Sequence, residues 1–92
     1  MTEMTVSKVI KQGGEVMLIT YYAYGNSAYT LDMTTTANGG IASGDFWGVV
    51  AAWDITGSDA VTCTNAKNVL TIDAAGGTTA HYYVITCLVR GK

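Results

Sequence analysis

The sequence predicts an all-β fold, a small antiparallel sandwich or barrel of jelly-roll-like kind with six to seven short strands. Short segments rich in Val, Ile, Thr, Tyr and Trp alternate with clusters of Gly, Asn and Asp, which is typical of strands joined by turns. The long amphipathic runs of a helical protein are missing, and the chain has no proline. A length of 92 residues indicates one β domain, residues 1–92.

The first half of the predicted fold is a hairpin followed by a short strand. We predict strands at Thr5–Lys11 and Glu15–Tyr24, joined by a tight turn at which a glycine pair supplies positive φ. A third strand is predicted at Ala28–Met33, after the turn-forming letters GNS. Alternation places two apolar sets on opposite faces of the second strand: Val16, Leu18 and Tyr22 on one, and Met17, Ile19 and Tyr21 on the other.

The middle of the chain is predicted to be a loop and then a strand. The segment Thr34–Asp45 consists mainly of small polar residues and glycine, so we expect an exposed loop. Phe46–Ile55 is predicted as a strand, because β-branched and aromatic residues surround an interior glycine that disfavours the competing helix. Strict alternation predicts two faces: Trp47, Val49, Ala51 and Trp53 on one, and Phe46, Gly48, Val50 and Ala52 on the other.

The last part of the chain is predicted to contain strands at Ala60–Thr64 and Val69–Asp73 and a final strand from about Thr79 to Arg90. Gly76 and Gly77 should close a hairpin between the last two strands by allowing positive φ. In the final strand, alternation again predicts two faces: His81, Tyr83, Ile85, Cys87 and Val89 on one, and Tyr82, Val84, Thr86, Leu88 and Arg90 on the other.

Strands with two apolar faces must be covered on both sides. The chain is 49% hydrophobic and only 13% charged, against about 25% charged residues in a typical domain. Because a domain of this size has a thin core, we expect a neighbouring subunit to cover part of Glu15–Tyr24 and of the final strand. The first expectation is a closed homo-oligomer with three-fold symmetry, since closure leaves no strand edges free to aggregate.

Aromatic residues are the predicted interface anchors. Tyr and Trp are enriched at subunit interfaces, because an apolar ring can be buried while its polar tip finds a partner. An exposed aromatic platform for a sugar ring or a stacked base is the alternative use of the same residues. The candidate interface residues are Tyr21, Tyr22, Trp47, Trp53, Tyr82 and Tyr83.

The sequence contains no motif that indicates catalysis, a metal or a cofactor. His81 is the only histidine, and no nucleophile-elbow pattern accompanies it, so we interpret it as a half-buried strand residue. The stretch Asp54–Asp59 could offer oxygen ligands to calcium, but it lacks the EF-hand spacing and is interpreted as a turn. The glycine pairs begin no helix and precede no GK[ST], so no phosphate loop is predicted. We therefore predict a protein that is not an enzyme.

Cysteine content and net charge narrow the classes of site and of partner that the protein can have. Cys63 and Cys87 are predicted to be reduced, buried and unligated, because two cysteines form neither a disulfide framework nor a metal-spaced pair and cytoplasmic thiols stay reduced. The alternative is one disulfide between neighbouring strands, which requires that the particle later meets an oxidising medium. The net charge is −2 and no basic stripe is present, so nucleic-acid binding is not expected. No apolar run has the length of a membrane span or a signal peptide, so we expect a soluble protein made in a cytoplasm.

Three parts of the chain resemble small proteins encoded among the head genes of tailed phages. These are the lysine-bearing start MTVSKVIKQGG, the Thr/Gly-rich middle, and the end, in which LTIDAAGG leads to a hydrophobic strand closing on VRG. The resemblance implies a virion structural protein, in particular a capsid decoration (cement) protein made in the host cytoplasm and located on the capsid surface.

Proteins of that family are typically compact β-folds, often trimers, that bind between capsomers and clamp them. The resemblance therefore implies other copies of the chain and the major capsid protein as partners, and no catalytic residues. Two alternatives remain from the residues themselves: a carbohydrate-binding β module, or a subunit of another assembly such as a tail or a filament.

Overall fold

The structure is a computed structural model that describes residues 2–25, 29–73 and 80–91. These residues form two β-sheets around one hydrophobic core, which confirms the predicted small β-sandwich. Seven strands have four residues or more, and two have only two residues. The strands are β1 (Thr2–Glu3), β2 (Thr5–Gly13), β3 (Val16–Gly25), β4 (Tyr29–Asp32), β5 (Phe46–Asp54), β6 (Asp59–Ala60), β7 (Thr62–Ala66), β8 (Val69–Asp73) and β9 (His81–Arg90).

One sheet has five strands and the other four. The five-stranded sheet has the order β2-β3-β9-β5-β6 and is antiparallel throughout. The four-stranded sheet has the order β1-β4-β8-β7, and its only parallel pair among the described strands is β1 with β4. The sequence analysis did not predict β1, because a two-residue strand is too short to show a periodic pattern. Its pairing is extended by Met4, whose N–H donates to the carbonyl of Thr30 at 2.7 Å.

Alternate residues of the two central strands, β3 and β9, point into the core from one side. Residues of β4 and β8 point into it from the other side. This confirms the two predicted faces of β3 and of the final strand, with one half of each strand's apolar residues inside. The residues contributed by these four strands are Ile19, Tyr21, Ala23, Leu31, Leu70, Ile72, Tyr83, Ile85, Cys87 and Val89, all between 0% and 1% exposed.

The first predicted hairpin is confirmed and the last one is wrong. Gly13 ends β2 with a φ of +119°, a conformation that favours glycine, and β3 begins three residues later. In contrast, β8 pairs with β4 and β7 while β9 pairs with β3 and β5, so these two strands lie in different sheets. Both strands bury an apolar face in the same core from opposite sides, and alternation alone does not tell which sheet a strand joins. The predicted turn at Gly76 and Gly77 lies outside the described residues.

The segment between β4 and β5 is more ordered than predicted. It contains two single-turn 3₁₀ helices, Thr36–Asn38 and Ser43–Asp45. Most of its described residues are exposed, as expected, but Asn38 and Ile41 are buried at 8% and 6% exposure. The amide of Asn38 donates to the carbonyl of Asp32 at 2.9 Å, which satisfies a polar group that the sequence pattern placed in solvent.

Candidate interaction surface

The side of the five-stranded sheet that points away from the core is largely apolar. We call this side the outer face; it consists of the outward-pointing residues of β2, β3, β9 and β5. Nine large hydrophobic residues in the described part of the chain are exposed, and eight of them belong to the outer face. The eight are Val16, Leu18, Tyr22 and Tyr24 on β3, Trp47, Val50 and Trp53 on β5, and Tyr82 on β9, with exposures between 39% and 59%. The ninth, Ile55, follows β5 immediately.

The register of β3 and β9 brings these residues together. Leu18 lies opposite Leu88, and Tyr24 lies opposite Tyr82, so the outward residues of the two strands form apolar cross-strand pairs. The rings of Tyr24 and Tyr82 are 4.6 Å apart between centroids and tilted by 49°, which is a favourable aromatic contact. The two central strands therefore present a strip of apolar pairs on the outer face, interrupted by the single pair of Thr20 and Thr86.

Two β-bulges in β5 turn Val49 inward and Val50 outward, while both tryptophans lie on the outer face. The register with β9 shifts between Phe46 and Gly48 and again between Val49 and Ala51, so Trp47 and Val50 are extra residues without a partner in β9. The predicted strict alternation of β5 is therefore wrong. Phe46, Val49 and Ala52 pack against the core, while Trp47, Val50, Ala51 and Trp53 are exposed.

The outer face is large for a protein of this size. Eight large side chains with 39–59% exposure leave on the order of 800 Å² of accessible surface, since one aromatic side chain alone carries roughly 150–250 Å². The largest apolar patch on a typical monomer is only about 300–600 Å². One side of a standard protein–protein interface is about 800 Å². The outer face thus has the size of a protein interface.

Charged groups stand only at the margins of the outer face. Within the described strands of this sheet, Lys8 and Arg90 are the charged residues whose pairing puts them on the outward side. Lys8 belongs to an edge strand, and Arg90 is the last residue of β9. The centre contains the hydroxyls of Thr20 and Thr86, which are within 3.2 Å and can hydrogen-bond to each other. The centre can therefore be dehydrated without leaving an unpaired charge.

The sheet separates the six predicted interface residues into two groups. Tyr22, Trp47, Trp53 and Tyr82 are exposed on the outer face. The prediction is wrong for Tyr21 and Tyr83, which are 0% exposed in the core, because neighbouring residues of a strand point to opposite faces.

The two core tyrosines differ in their polar tips. The Tyr21 hydroxyl donates to the carbonyl of Asn38 at 2.6 Å, whereas the Tyr83 hydroxyl has no hydrogen-bond partner among the described residues. Burial raises the pKa of both phenols, so both stay neutral at physiological pH.

Four further outer-face residues, Val16 among them, were not among the predicted interface residues. Tyr24 and Leu18 share the alternation of Tyr22 and could have been found from it. Val50 could not, because its outward position depends on a bulge that the apolar pattern does not reveal.

The long edge strand of this sheet is irregular. In β2 the register with β3 shifts between Val6 and Lys8, so Ser7 bulges out, and its hydroxyl donates to the carbonyl of Tyr22 at 3.1 Å. The exposed lysines Lys8 and Lys11 lie on the same edge. Bulges and edge lysines are two of the ways in which proteins prevent pairing of free strand edges. Contact through the β2 edge is therefore disfavoured, whereas the outer face is open.

An ionisable pair lies beside the outer face at the start of β9. The His81 ring approaches Asp54, with 2.7 Å between Nδ1 and Oδ2. The N–H of Gly57 donates to Oδ1 of the same carboxylate at 2.9 Å, which closes the turn at residues 55–58. Burial raises the pKa of Asp54, but the hydrogen bonds from Gly57 and His81 outweigh it and hold the pKa below its ordinary value. These contacts support the turn interpretation of Asp54–Asp59.

The same pair does not form part of a larger ionisable cluster. Across residues 2–25, 29–73 and 80–91, no group of three or more His, Cys, Asp and Glu side chains is placed to hold a metal ion. The half-buried position predicted for His81 is confirmed, with 19% side-chain exposure. The pairing with Asp54 was not predicted, because the two residues are 27 positions apart and only the register of β5 and β9 joins them.

The two cysteines are unreactive in the folded protein. Both are free; Cys87 is buried and Cys63 is partly buried. Burial raises the pKa of Cys63 to about 11 and the pKa of Cys87 to about 12. Because the thiolate is the reactive form of cysteine, these thiols are poor nucleophiles at neutral pH.

An open cleft adjoins one corner of the outer face. It has a volume of about 650 Å³ and is lined by Glu15, Val16, Asp45, Trp47, Arg90 and Gly91. The lining combines an aromatic ring, two carboxylates and a guanidinium group. Such a set offers both hydrogen-bond donors and acceptors to a polar ligand.

Comparison with protein-family models, curated proteins and solved structures finds no match to the chain. Within the described residues, no helix is long and apolar enough to cross a membrane.

Proposed function

We propose that the protein is a structural component of a virion, in particular a capsid decoration (cement) protein of a tailed phage. The observation that carries the proposal is the outer face, whose eight exposed large side chains form a surface of interface size. The resemblance at the two ends of the chain supplies the phage context. In this proposal the protein is made in the host cytoplasm, acts on the capsid surface and works through contact rather than catalysis.

The proposed role requires two contact surfaces. Other copies of the chain cover the outer face, and the resulting oligomer, which the resemblance implies to be a trimer, binds the major capsid protein through a second surface. The segment Thr34–Asp45 is the candidate for that second surface. It is mostly exposed and is held by hydrogen bonds to the carbonyls of Asn38 and Gly39, donated by Tyr21 at 2.6 Å and Lys11 at 2.8 Å.

The energetic contribution of such a protein follows from linkage. A protein that binds the assembled shell but not the dissociated subunits stabilises the shell by roughly RT ln(1 + [L]/Kd) per site. At a free concentration of about 100 times Kd this amounts to about 2.7 kcal/mol per site. Repeated over many capsomer junctions, this contribution adds up over the whole shell.

The test is co-sedimentation of the purified protein with phage heads that lack it. We expect saturable binding and a higher temperature of head disruption. Ala37→Arg, in the exposed 3₁₀ turn, should weaken head binding while leaving the oligomer intact. Ala66→Arg is the matched control, since Ala66 is equally exposed but lies in β7 of the other sheet. Absence of binding to any head preparation would refute the decoration role.

A carbohydrate-binding module is the second candidate, and the cleft at Trp47 and Arg90 favours it. A sugar ring stacks on an exposed aromatic ring, and its hydroxyls hydrogen-bond to carboxylates and guanidinium groups. Titration with a panel of oligosaccharides, followed by tryptophan fluorescence, tests this candidate. A saturable change that Trp47→Ala abolishes would favour the module over the decoration protein.

A further inference from the structure

We propose that the outer face of one copy is covered by the outer face of a second copy, in a pair with two-fold symmetry. The inference deepens the proposed function and rests on its claim that the outer face is covered in an assembly. It specifies the partner, the contacting surface and the symmetry of the contact.

The first step is that the contact uses the face of the sheet and not its edges. The edge strand β2 is interrupted at Ser7. The opposite edge strand is β6, which has only two residues, and its neighbour β5 is interrupted at Trp47 and Val50. Each bulge breaks the regular row of backbone donors and acceptors that an added strand would need. Pairing along the edges of this sheet is therefore disfavoured, while the outer face carries no such obstacle.

The second step is that the contact is isologous. A ring with three-fold symmetry joins two different patches of each subunit, so an apolar patch would need a complementary apolar patch elsewhere on the chain. In the described part of the chain, the only exposed large hydrophobic residue outside the outer face is Ile55. Within the described residues, the apolar surface that matches the outer face is therefore the same face of another copy, and an isologous contact closes as a pair. This argues against the three-fold arrangement that the resemblance implies.

The third step is that the outer face has the size and chemistry of one half of such a pair. About 800 Å² on each partner is the amount that a standard stable interface buries. The central hydroxyls of Thr20 and Thr86 can hydrogen-bond to each other at 3.2 Å, so a partner that covers them has to supply an acceptor for only one of the two O–H groups. At the corner, Arg90 lines an open cleft together with the carboxylates of Glu15 and Asp45 and lies at the end of β9, at the margin of the contact.

Two identical sheets also match in shape. Sheets that pack face to face are about 10 Å apart and cross at about −30°, an angle that results from the twist of each sheet. A second copy supplies a sheet with the same twist, and its tyrosine and tryptophan rings can interdigitate with those of the first. The pair would consist of four layers, with the two five-stranded sheets inside.

The test is the oligomeric state of the full chain at several concentrations, measured by sedimentation equilibrium. We expect a species of twice 9.7 kDa that dissociates on dilution. Ala51→Glu places a carboxylate in the outer face and should weaken association at least about 100-fold, because a buried unpaired charge is strongly unfavourable. Ala66→Glu makes the same change at an exposed strand position of the other sheet and should leave association unchanged.

A second measurement reports on the outer face directly and begins with the natural protein. The chain has two tryptophans, Trp47 and Trp53, and both lie on the outer face. Iodide should quench their fluorescence weakly in the pair and several-fold more strongly after dilution. Ala51→Glu should show strong quenching at every concentration, and if this variant fails to fold, Val50→Lys at a 59%-exposed position replaces it.

Three results would overturn the inference: a monomer at all concentrations, a trimer, or a pair that Ala51→Glu leaves intact with unchanged quenching. The head-binding assay separates the inference from the proposed function. A pair that ignores heads would retain the inference and refute the decoration role. A monomer or trimer that binds heads would do the opposite.

Discussion

Asp54, the last residue of β5, and His81, the first residue of β9, are joined by a hydrogen bond of 2.7 Å between Oδ2 and Nδ1. The bond fixes the turn after β5 against the start of β9. The next residue of β9, Tyr82, reinforces this link, because its N–H donates to the hydroxyl of Thr56 at 3.0 Å and its carbonyl accepts from Ile55 at 2.8 Å. Since Tyr82 belongs to the outer face, the same contacts position one corner of the proposed interface.

The Asp54 carboxylate should be important for stability. Asp54→Ala removes the acceptor of two hydrogen bonds in a buried position, so we expect a loss of about 1–3 kcal/mol in the free energy of unfolding. Asp59→Ala removes an exposed carboxylate from the adjacent β6 and should change stability by less than about 0.5 kcal/mol. Urea unfolding of the two variants measures both values. Equal effects would show that the pair with His81 does not hold the turn.

Acid should weaken the fold partly through the same carboxylate. The folded-state pKa of Asp54 lies below its ordinary value of 3.8, so its contribution is present above that pH and is lost as the pH falls through the lowered pKa. We therefore expect unfolding free energies measured from pH 6 to pH 2 to fall more steeply for the natural protein than for Asp54→Asn. Parallel curves would contradict the assigned direction of the shift.

Loss of the hydroxyl should change the stability of the protein differently at the two buried tyrosines. Tyr21→Phe removes the hydrogen bond to the Asn38 carbonyl and should lower stability by about 1 kcal/mol. Tyr83→Phe removes a buried hydroxyl that has no partner among the described residues, so stability should stay equal or rise. Thermal unfolding of the two variants provides the comparison. A clear loss in Tyr83→Phe would mean that its hydroxyl is satisfied in solution.

The first hairpin offers a matched pair of glycine substitutions. Gly13→Ala should cost about 1–3 kcal/mol, because φ is +119° and the added Cβ would overlap the carbonyl oxygen of Val16. At Gly14 a Cβ would meet nothing within 4 Å, so Gly14→Ala should be close to neutral. The difference between their unfolding midpoints in urea is the readout. Similar midpoints would indicate that the turn relaxes without strain.

The thiols should become reactive only on unfolding. With the pKa of Cys63 raised to about 11 and that of Cys87 to about 12, both should react slowly with a thiol reagent at pH 8 in the folded protein. Unfolded protein prepared without reductant should release two thiol equivalents. Fewer than two would indicate a disulfide, and stoichiometric zinc in the preparation would indicate a metal site.

The sequence by itself determined the fold class and the faces of the two central strands. The bounds of Val69–Asp73 agree with β8 at both ends, and alternation assigned Ile19 and Leu18 of β3, and Ile85 and Val84 of β9, to opposite faces. These features depend on the two-residue period of a strand, in which successive side chains point to opposite faces along the whole segment. A local pattern of this kind can be recognised without knowing which strands pair with the segment.

Only the tertiary structure decided which strands are neighbours and where alternation breaks. The separation of β8 from β9 into different sheets, the bulges that turn Val50 outward, and the meeting of Asp54 with His81 all depend on pairing between distant segments. Register and bulges are set by the fit of one strand against another and against the core, so they leave no period in a single strand. The outer face exists for the same reason: its residues come from separate strands, and the sheet alone makes them one surface.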